Sequence, residues 1–215
     1  MSDPQDDLDA LWDEGAYEEL VEAAREEGHA LLEGMALFHL WRFDEAERAL
    51  ERFEPDHDDD EADREWYLGL LAEFRDRDPG RHFRRAVRLC PERYPEPVRL
   101  SDGEIDAVVE EALAALPAVI AEAASDAVIS VAPLPAAHPD VDPLVLGLYT
   151  GSDHLRRSID EAIRMPARIE VFRKNIERVA ADRQEAIDEL RITLEHELAH
   201  HLGFDEEDME RLGLD

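Results

Sequence analysis

The chain has 215 residues, of which 55 are acidic and 23 are basic, and its formal net charge at pH 7 is −32. Such an acidic surface repels nucleic-acid phosphates and anionic lipid headgroups, and no basic patch offsets it, so we expect no nucleic-acid partner and no membrane partner. The single cysteine, Cys90, excludes an intramolecular disulfide, and neither a leader-like N-terminus nor a long apolar run is present, so we expect a cytoplasmic protein.

Residues 1–95 are predicted to form an all-helical domain. Apolar residues recur at helical spacing, and glycine and proline fall mainly between the periodic stretches. The stretch 41–55, which reads WRFDEAERALERFEP, resembles the second helix of a tetratricopeptide repeat, and 81–91 ends on a proline in the same way. The resemblance implies a tetratricopeptide-like (TPR-like) domain that can bind a protein partner.

An acidic cluster lies within this half of the chain, and a proline-containing stretch lies at its end. Residues 56–63 hold a dense acidic cluster around His57, and because consecutive carboxylates repel one another we expect a solvated loop there rather than a metal site. Residues 91–97 contain three prolines, which predicts a boundary between two domains.

The second predicted domain, residues 96–215, mixes helices and strands. Ser101 and Glu104 have the spacing of a capping box, which predicts the start of a helix that runs to Leu116. Short apolar runs at 127–132, 144–149 and 169–172 predict three strands, and helical periodicity predicts one long helix over 176–202. The whole chain is therefore predicted to be α+β.

The predicted helix at the end of this domain carries the sequence His196-Glu197-Leu-Ala-His200, an H-E-x-x-H pattern. At 100° per residue, roughly, the two histidines share one face with Thr193, whereas a leucine stripe lies on the other. Histidines one turn apart can hold one Zn²⁺. Glu197 is placed to act as general base toward a zinc-activated water, which predicts hydrolysis of peptide or amide bonds.

A third metal ligand is predicted just beyond the helix. Gly203 ends the helix, and Glu206 occupies the third-ligand position of H-E-x-x-H-x-x-G-x-x-H, with glutamate in place of the last histidine. Asp205 is the nearest alternative ligand, and a solvated acidic turn or a helix cap is the competing interpretation of Glu206. His201 points about 100° away from His200, so we expect it to pack or to support a ligand.

Further motifs in this half carry a family resemblance. They are LGLYTG at 146–151, Arg157, IEVFRKNIE at 169–177 and LEHELAHHLG at 194–203. With them, the second domain resembles the minimal-zincin family of predicted bacterial zinc metallopeptidases. The resemblance implies a small mixed sheet packed on the active-site helix, with His196 and His200 as zinc ligands and Glu197 as the base. The family often has aspartate at the position of Glu206, so a carboxylate is kept there.

Tyr149 and Arg157 lie in or near the LGLYTG block. Either a tyrosine hydroxyl or a guanidinium near the metal can stabilise an oxyanion. Packing at a strand end explains Tyr149 equally well, and pairing with nearby acids explains Arg157.

Two functions from different classes follow from these patterns. The first is a zinc peptidase, or a related amidase, that binds an extended peptide along an edge strand, for which 127–132 and 169–172 are the candidates. The second is an interaction protein whose TPR-like half binds a partner and whose zincin half is non-catalytic or regulatory. Glu197 favours the first, because a structural metal site does not need a carboxylate beside its first ligand.

Overall fold

The computed structural model of the protein describes residues 4–116, 125, 127–151 and 167–204. The chain divides into two compact units. Unit 1 comprises Met1–Glu96 and Ala136–Leu144, and unit 2 comprises Pro97–Pro135 and Val145–Asp215. None of the helices in the described ranges is both long enough and apolar enough to cross a membrane.

Unit 1 is built from helices, as the sequence predicts. Their bounds are α1 Pro4–Asp13, α2 Tyr17–Glu27, α3 Ala30–His39, α4 Phe43–Arg52, α5 Asp58–Phe74 and α6 Gly80–Leu89. Successive helices pack closely where one of them has glycine. A Cβ atom at Gly34 of α3 would lie 2.6 Å from Leu50 Cγ of α4, and one at Gly69 of α5 would lie 2.6 Å from Phe83 Cε1 of α6. The helical prediction is confirmed, whereas the relation to tetratricopeptide repeats stays a prediction.

The acidic cluster beside His57 differs from the expectation. The loop predicted over 56–63 ends at His57, because Asp58, Asp59, Asp60 and Glu61 form the first turn of α5. Carboxylates are stabilised in that position by the partial positive charge at a helix N-terminus. The prediction of a loop was therefore wrong from Asp58 onward.

The segment Ala136–Leu144, which the sequence placed in the second half, is held within unit 1. The His39 ring lies between two polar partners, with Nδ1 2.5 Å from Asp142 Oδ2 and Nε2 3.0 Å from the Tyr67 hydroxyl. Trp41 Nε1 donates a hydrogen bond of 2.7 Å to the carbonyl oxygen of Val141. Leu144 packs against the apolar core of the helical unit.

Unit 2 contains a three-stranded mixed sheet, which confirms the predicted α+β class. Its elements within the described residues are α7 Asp102–Ala115, β1 Val128–Ala132, β2 Gly147–Thr150, β3 Arg168–Phe172, α8 Arg173–Val179 and α9 Arg183–Leu202. The strand order is β1-β3-β2, with β3 parallel to β1 and antiparallel to β2. Because β3 is paired on both sides, the expectation that 169–172 offers a free edge to a peptide was wrong.

Helix α9 packs on the sheet with apolar side chains, and α7 packs against α9. Ile169 and Val171 of β3 are fully buried. They join a cluster with Ile105, Val108, Ala112, Leu190, Leu194 and Leu198. The start of α7 is the predicted capping box, in which the Ser101 N–H donates to Glu104 Oε2 at 2.9 Å. The site helix is thus fixed to the sheet along its leucine stripe.

The single helix predicted over 176–202 is two helices. Residues 180–182 separate α8 from α9, and Ala180 has extended backbone angles. Asp182 caps α9 by accepting hydrogen bonds from the N–H groups of Gln184 at 2.8 Å and Glu185 at 3.0 Å. The Glu185 Oε2 atom in turn accepts a hydrogen bond of 2.6 Å from the Ala181 N–H. These capping hydrogen bonds favour a new helix start over a continuous helix. The spacing of apolar residues does not reveal them, so the break was not predicted.

The second strand also starts later than the sequence predicts, at Gly147 instead of Leu144. Leu144 packs with unit 1. The carbonyl oxygen of Val145 accepts a hydrogen bond of 2.6 Å from Asn175 Nδ2, a side-chain partner that takes the place of a neighbouring strand. Long-range contacts of this kind leave no periodic signal in the sequence.

A buried carboxylate ties the start of unit 2 to α8. The side chain of Glu177 is 2 % exposed, and its oxygens accept hydrogen bonds from the Leu100 N–H at 2.8 Å and from Arg99 at 3.0 Å. The backbone carbonyl of Glu177 accepts a third from the Val98 N–H at 2.8 Å. Residues 98–100 are therefore anchored on the helix that follows β3.

Replacing Glu177 with alanine tests this anchor. We expect Glu177→Ala to lower the free energy of unfolding by about 1–3 kcal/mol, because the buried Leu100 N–H loses its acceptor. Glu111→Ala is the matched control. The Glu111 side chain is 72 % exposed and lies 3.9 Å from Arg191. Its loss should cost less than about 1 kcal/mol. Urea unfolding followed by far-ultraviolet circular dichroism measures both, and equal costs would contradict the anchoring role.

Candidate active site

Three adjacent stripes run along α9, and each meets a different environment. The leucine stripe is buried in the core of unit 2. Thr193, Glu197 and His201 recur every four residues and are also buried. His196 and His200 lie next to them and are only half-buried. Thr193, which the sequence places on the face of the two histidines, differs from them in being buried against β2.

Strand β2 lies along the Thr193–Glu197–His201 stripe. A Cβ atom at Gly147 would lie 2.7 Å from Thr193 Cγ2, whereas the hydroxyl of Tyr149 lies 3.4 Å from His201 Nδ1. Every second residue of a strand is about 6.6 Å further along, and every fourth residue of a helix about 6 Å. Alternate residues of β2 therefore have nearly the same spacing as the residues of this stripe. The strand therefore sets the position of this helix face.

Gly147 is the point of closest approach. A Cβ atom there would also lie 2.8 Å from both Cγ and Oε1 of Glu197. Any side chain at this position would displace Glu197, which is itself only 8 % exposed. Absence of a side chain at position 147 thus allows the Glu197 carboxylate to lie directly against the sheet.

The two histidines of the H-E-x-x-H pattern converge. Their Nε2 atoms lie 3.1 Å apart, and the ring planes are inclined at 82°. Two nitrogens bound tetrahedrally to zinc at 2.0–2.1 Å would lie about 3.3 Å apart, so the pair fits one zinc ion with a shift of a few tenths of an ångström.

The end of α9 favours a cation near these rings. Gly203 adopts a left-handed conformation, with φ 90°, and terminates the helix. The N–H of Phe204 then donates to the carbonyl oxygen of Ala199 at 3.1 Å, as in a Schellman motif. His200 lies in the last turn. The partial negative charge at a helix C-terminus stabilises a positive ion there.

Tyr149 of β2 and His201 of α9 are also in contact. His201 is fully buried, and its ring centroid lies 5.6 Å from that of Tyr149. The tyrosine hydroxyl lies within reach of His201 Nδ1. His201 is thus a packed histidine that touches β2, which agrees with the expectation for it.

Several predicted site residues lie outside the described residues, namely Asp205, Glu206 and Arg157. Among the residues that are described, no group of three or more histidine, cysteine, aspartate or glutamate side chains is placed to hold a metal ion. The described part of the site supplies the two histidines and Glu197.

Residues 124–214 match the family model of zincin-like metallopeptidases. The C-terminal region of the chain is therefore similar to this family. This confirms the resemblance drawn from the sequence motifs, and the family implies zinc binding and hydrolysis of peptides or proteins. A comparison with the curated proteins finds no match to the chain.

Sequence reasoning missed the residues that hold β2 in place. Asn175 is buried, donates to the carbonyl oxygen of Val145 just before β2, and accepts a hydrogen bond from the buried Arg178. Gly147 is the second missed residue. Both residues lie in motifs that carry the zincin resemblance, Gly147 in 146–151 and Asn175 in 169–177. A glycine in an apolar run and an asparagine in a charged one are the sequence features that could have indicated a special role.

A double-mutant cycle between Gly147 and Glu197 tests the close approach. We expect Gly147→Ala to lower the free energy of unfolding by about 1–3 kcal/mol, because the new methyl group overlaps Glu197 and Thr193. In the Glu197→Ala background part of that cost should disappear, which gives a coupling of about 0.5–3 kcal/mol. Chemical denaturation of the four proteins measures the coupling.

Gly103 provides the control for this cycle. A Cβ atom at Gly103 of α7 would meet nothing within 4 Å. Gly103→Ala should be neutral or stabilising by up to about 1 kcal/mol, with no coupling to Glu197. Additive effects at positions 147 and 197 would show that the strand does not constrain the carboxylate.

Proposed function

We propose that the zincin-like domain is a zinc-dependent peptidase in which His196 and His200 bind the metal and Glu197 acts as general base. The observation that carries the proposal is the 3.1 Å approach of the two Nε2 atoms beside a buried carboxylate. A purely structural histidine pair would not need an acid held at that position.

Zinc bound at this pair would polarise a water molecule and the carbonyl group of a peptide bond. Glu197 takes a proton from the attacking water through its carboxylate and passes it to the leaving amine. Gly147 supports this role, because the absence of a Cβ atom lets β2 hold the carboxylate in one place. Burial keeps bulk water away from the transferred proton.

The substrate is proposed to bind as an extended strand along β2. The Phe172 N–H donates to the carbonyl oxygen of Leu146 at 2.7 Å, which makes this pair a hydrogen-bonded one. Antiparallel pairs alternate, so the N–H and C=O groups of Gly147 and Tyr149 point away from β3. These groups lie on the strand that touches Glu197, and a peptide paired with them would pass the proposed base.

The remaining assignments of the site are also part of the proposal. Glu206 is the proposed third zinc ligand, and Asp205 is the alternative. Tyr149 and Arg157 are proposed donors to the oxyanion that forms on the substrate carbonyl. The helical unit 1 is proposed to resemble tetratricopeptide domains and to bind a protein partner, and the protein is proposed to work in the cytoplasm.

Metal content tests the ligand set. We expect purified protein to hold about one zinc ion per chain, as a catalytic site of this type does. His196→Ala should abolish binding, and Glu206→Ala should weaken it while Asp205→Ala leaves it unchanged. Mass spectrometry of the native protein, with zinc titrations of each variant, provides the readout. Wild-type protein that binds no zinc after reconstitution would overturn the proposal.

Hydrolysis of a fluorogenic peptide library tests the chemistry. We expect the zinc-loaded protein to cleave some members, and Glu197→Gln to lower kcat by at least about a hundredfold with zinc content unchanged. Glu195→Gln, which changes a half-buried acid on the same helix, is the matched control and should retain activity. Zinc binding without cleavage of any peptide would instead favour the alternative, an interaction protein with a non-catalytic zincin domain.

A further inference from the structure

A groove of about 630 Å³ runs between α7 and β1 in unit 2. Its floor is apolar and includes Ile105, Val109 and Leu113 of α7, with Ile129 and Val131 of β1. None of the residues that line it belongs to the candidate active site. We call this feature the α7–β1 groove.

The groove runs beside an edge strand. The Val128 N–H donates to the carbonyl oxygen of Ala167 at 2.7 Å, and Val128 is in register with Arg168 of β3. Alternate residues of a parallel strand direct their polar groups to opposite sides, so Ile129 and Val131 direct theirs away from β3. In the part of the chain that the structure describes, β1 pairs only with β3. The outer edge of β1 can therefore accept another strand.

One wall of the groove is acidic. Asp106 and Glu110 are exposed one turn apart on α7 and both line the groove. Asp102, at one end, is already paired with Arg173 at 2.8 Å. Neither Asp106 nor Glu110 has an ion-pair partner among the residues that the structure describes. Two carboxylates thus remain available to positive charges of an occupant.

We propose that the α7–β1 groove binds an extended basic segment of a partner protein, which adds a strand to β1 and pairs its cationic side chains with Asp106 and Glu110. Alternate residues of a strand lie about 6.6 Å apart, and residues four apart on a helix about 6 Å. Arginine or lysine at every second position therefore meets both carboxylates.

The apolar floor fits the same side chains. The aliphatic stems of lysine and arginine pack on apolar surface while their charged ends reach a polar rim. Ile105, Val109 and Leu113 supply that surface next to the acidic wall. An acidic segment would be repelled, and a purely apolar one would leave the carboxylates without partners. The groove therefore selects basic, extended peptides independently of zinc chemistry.

Fluorescence anisotropy of labelled peptides on the full chain tests the proposal. The probe peptide alternates arginine with threonine, and the comparison peptide alternates glutamate with threonine. The Glu197→Gln background prevents consumption of either peptide at the candidate active site. We expect only the arginine peptide to bind, with an affinity about tenfold lower in the double variant Asp106→Lys/Glu110→Lys.

Two further variants distinguish binding in the groove from a general effect of the net charge of the protein. Glu22→Lys/Glu26→Lys makes the same change of charge on two exposed acids one turn apart on α2, and it should leave the affinity unchanged. Val131→Pro removes an N–H group that the β1–β3 ladder does not use, and it should weaken binding several-fold.

Three results would overturn the proposal. They are equal losses of affinity in the α2 and α7 charge variants, equal binding of the glutamate peptide, and a chain that dimerises through β1. Light scattering detects the last of these, because Val131→Pro would then convert a dimer to a monomer. If Val131→Pro does not fold, the comparison of the α7 and α2 charge variants tests the proposal. Those substitutions are on exposed helix faces, so we expect these variants to fold.

Discussion

The contact between β2 and α9 at Gly147 is the constraint on which the candidate site depends. Glu197 is held against the sheet because the strand presents no side chain to it. The histidine pair lies next to this contact on the same helix, so its position relative to the carboxylate follows from helical geometry alone. A side chain at position 147 would therefore displace the Glu197 carboxylate from its place against the sheet.

Several buried polar groups keep that contact in place. Asn175 fixes the backbone just before β2, and Glu177 anchors residues 98–100 on α8. Both belong to the short helix that directly follows the central strand. Asp182 then caps the site helix and sets its first turn. These polar groups thus act on the segment between the central strand and the helix that carries H-E-x-x-H, while the leucine stripe supplies most of the burial.

The negative charge of the chain affects the two proposed binding events in a similar way. A net charge of −32 raises the local concentration of cations, which assists capture of a divalent metal and steers basic peptides toward the surface. It also disfavours acidic peptides at both β2 and the α7–β1 groove. Substrate and partner are therefore expected to share a positive character, and both interactions should weaken as salt is added.

Short sequence patterns correctly predicted those features of the structure that depend only on residues close together in the chain. The H-E-x-x-H spacing placed His196 and His200 on one face, and the Ser101–Glu104 pair marked the start of α7. Asp182 and Glu185 have the same capping spacing, but the continuous helical periodicity around them hid the break between α8 and α9. The role of Gly147 was not predictable, because it depends on which helix packs against β2. The third ligand stays a prediction at Glu206 or Asp205.

The placement of Ala136–Leu144 bears on how the protein can be divided. This segment leaves unit 2 after β1, contacts His39 at the end of α3 through Asp142 and the following Trp41 through Val141, and returns to form β2. A fragment that begins at Pro97 keeps the segment but loses His39 and Trp41, which hold it. The two units are therefore interlaced along the chain, and exchanging one for a foreign domain would require transplanting this loop as well.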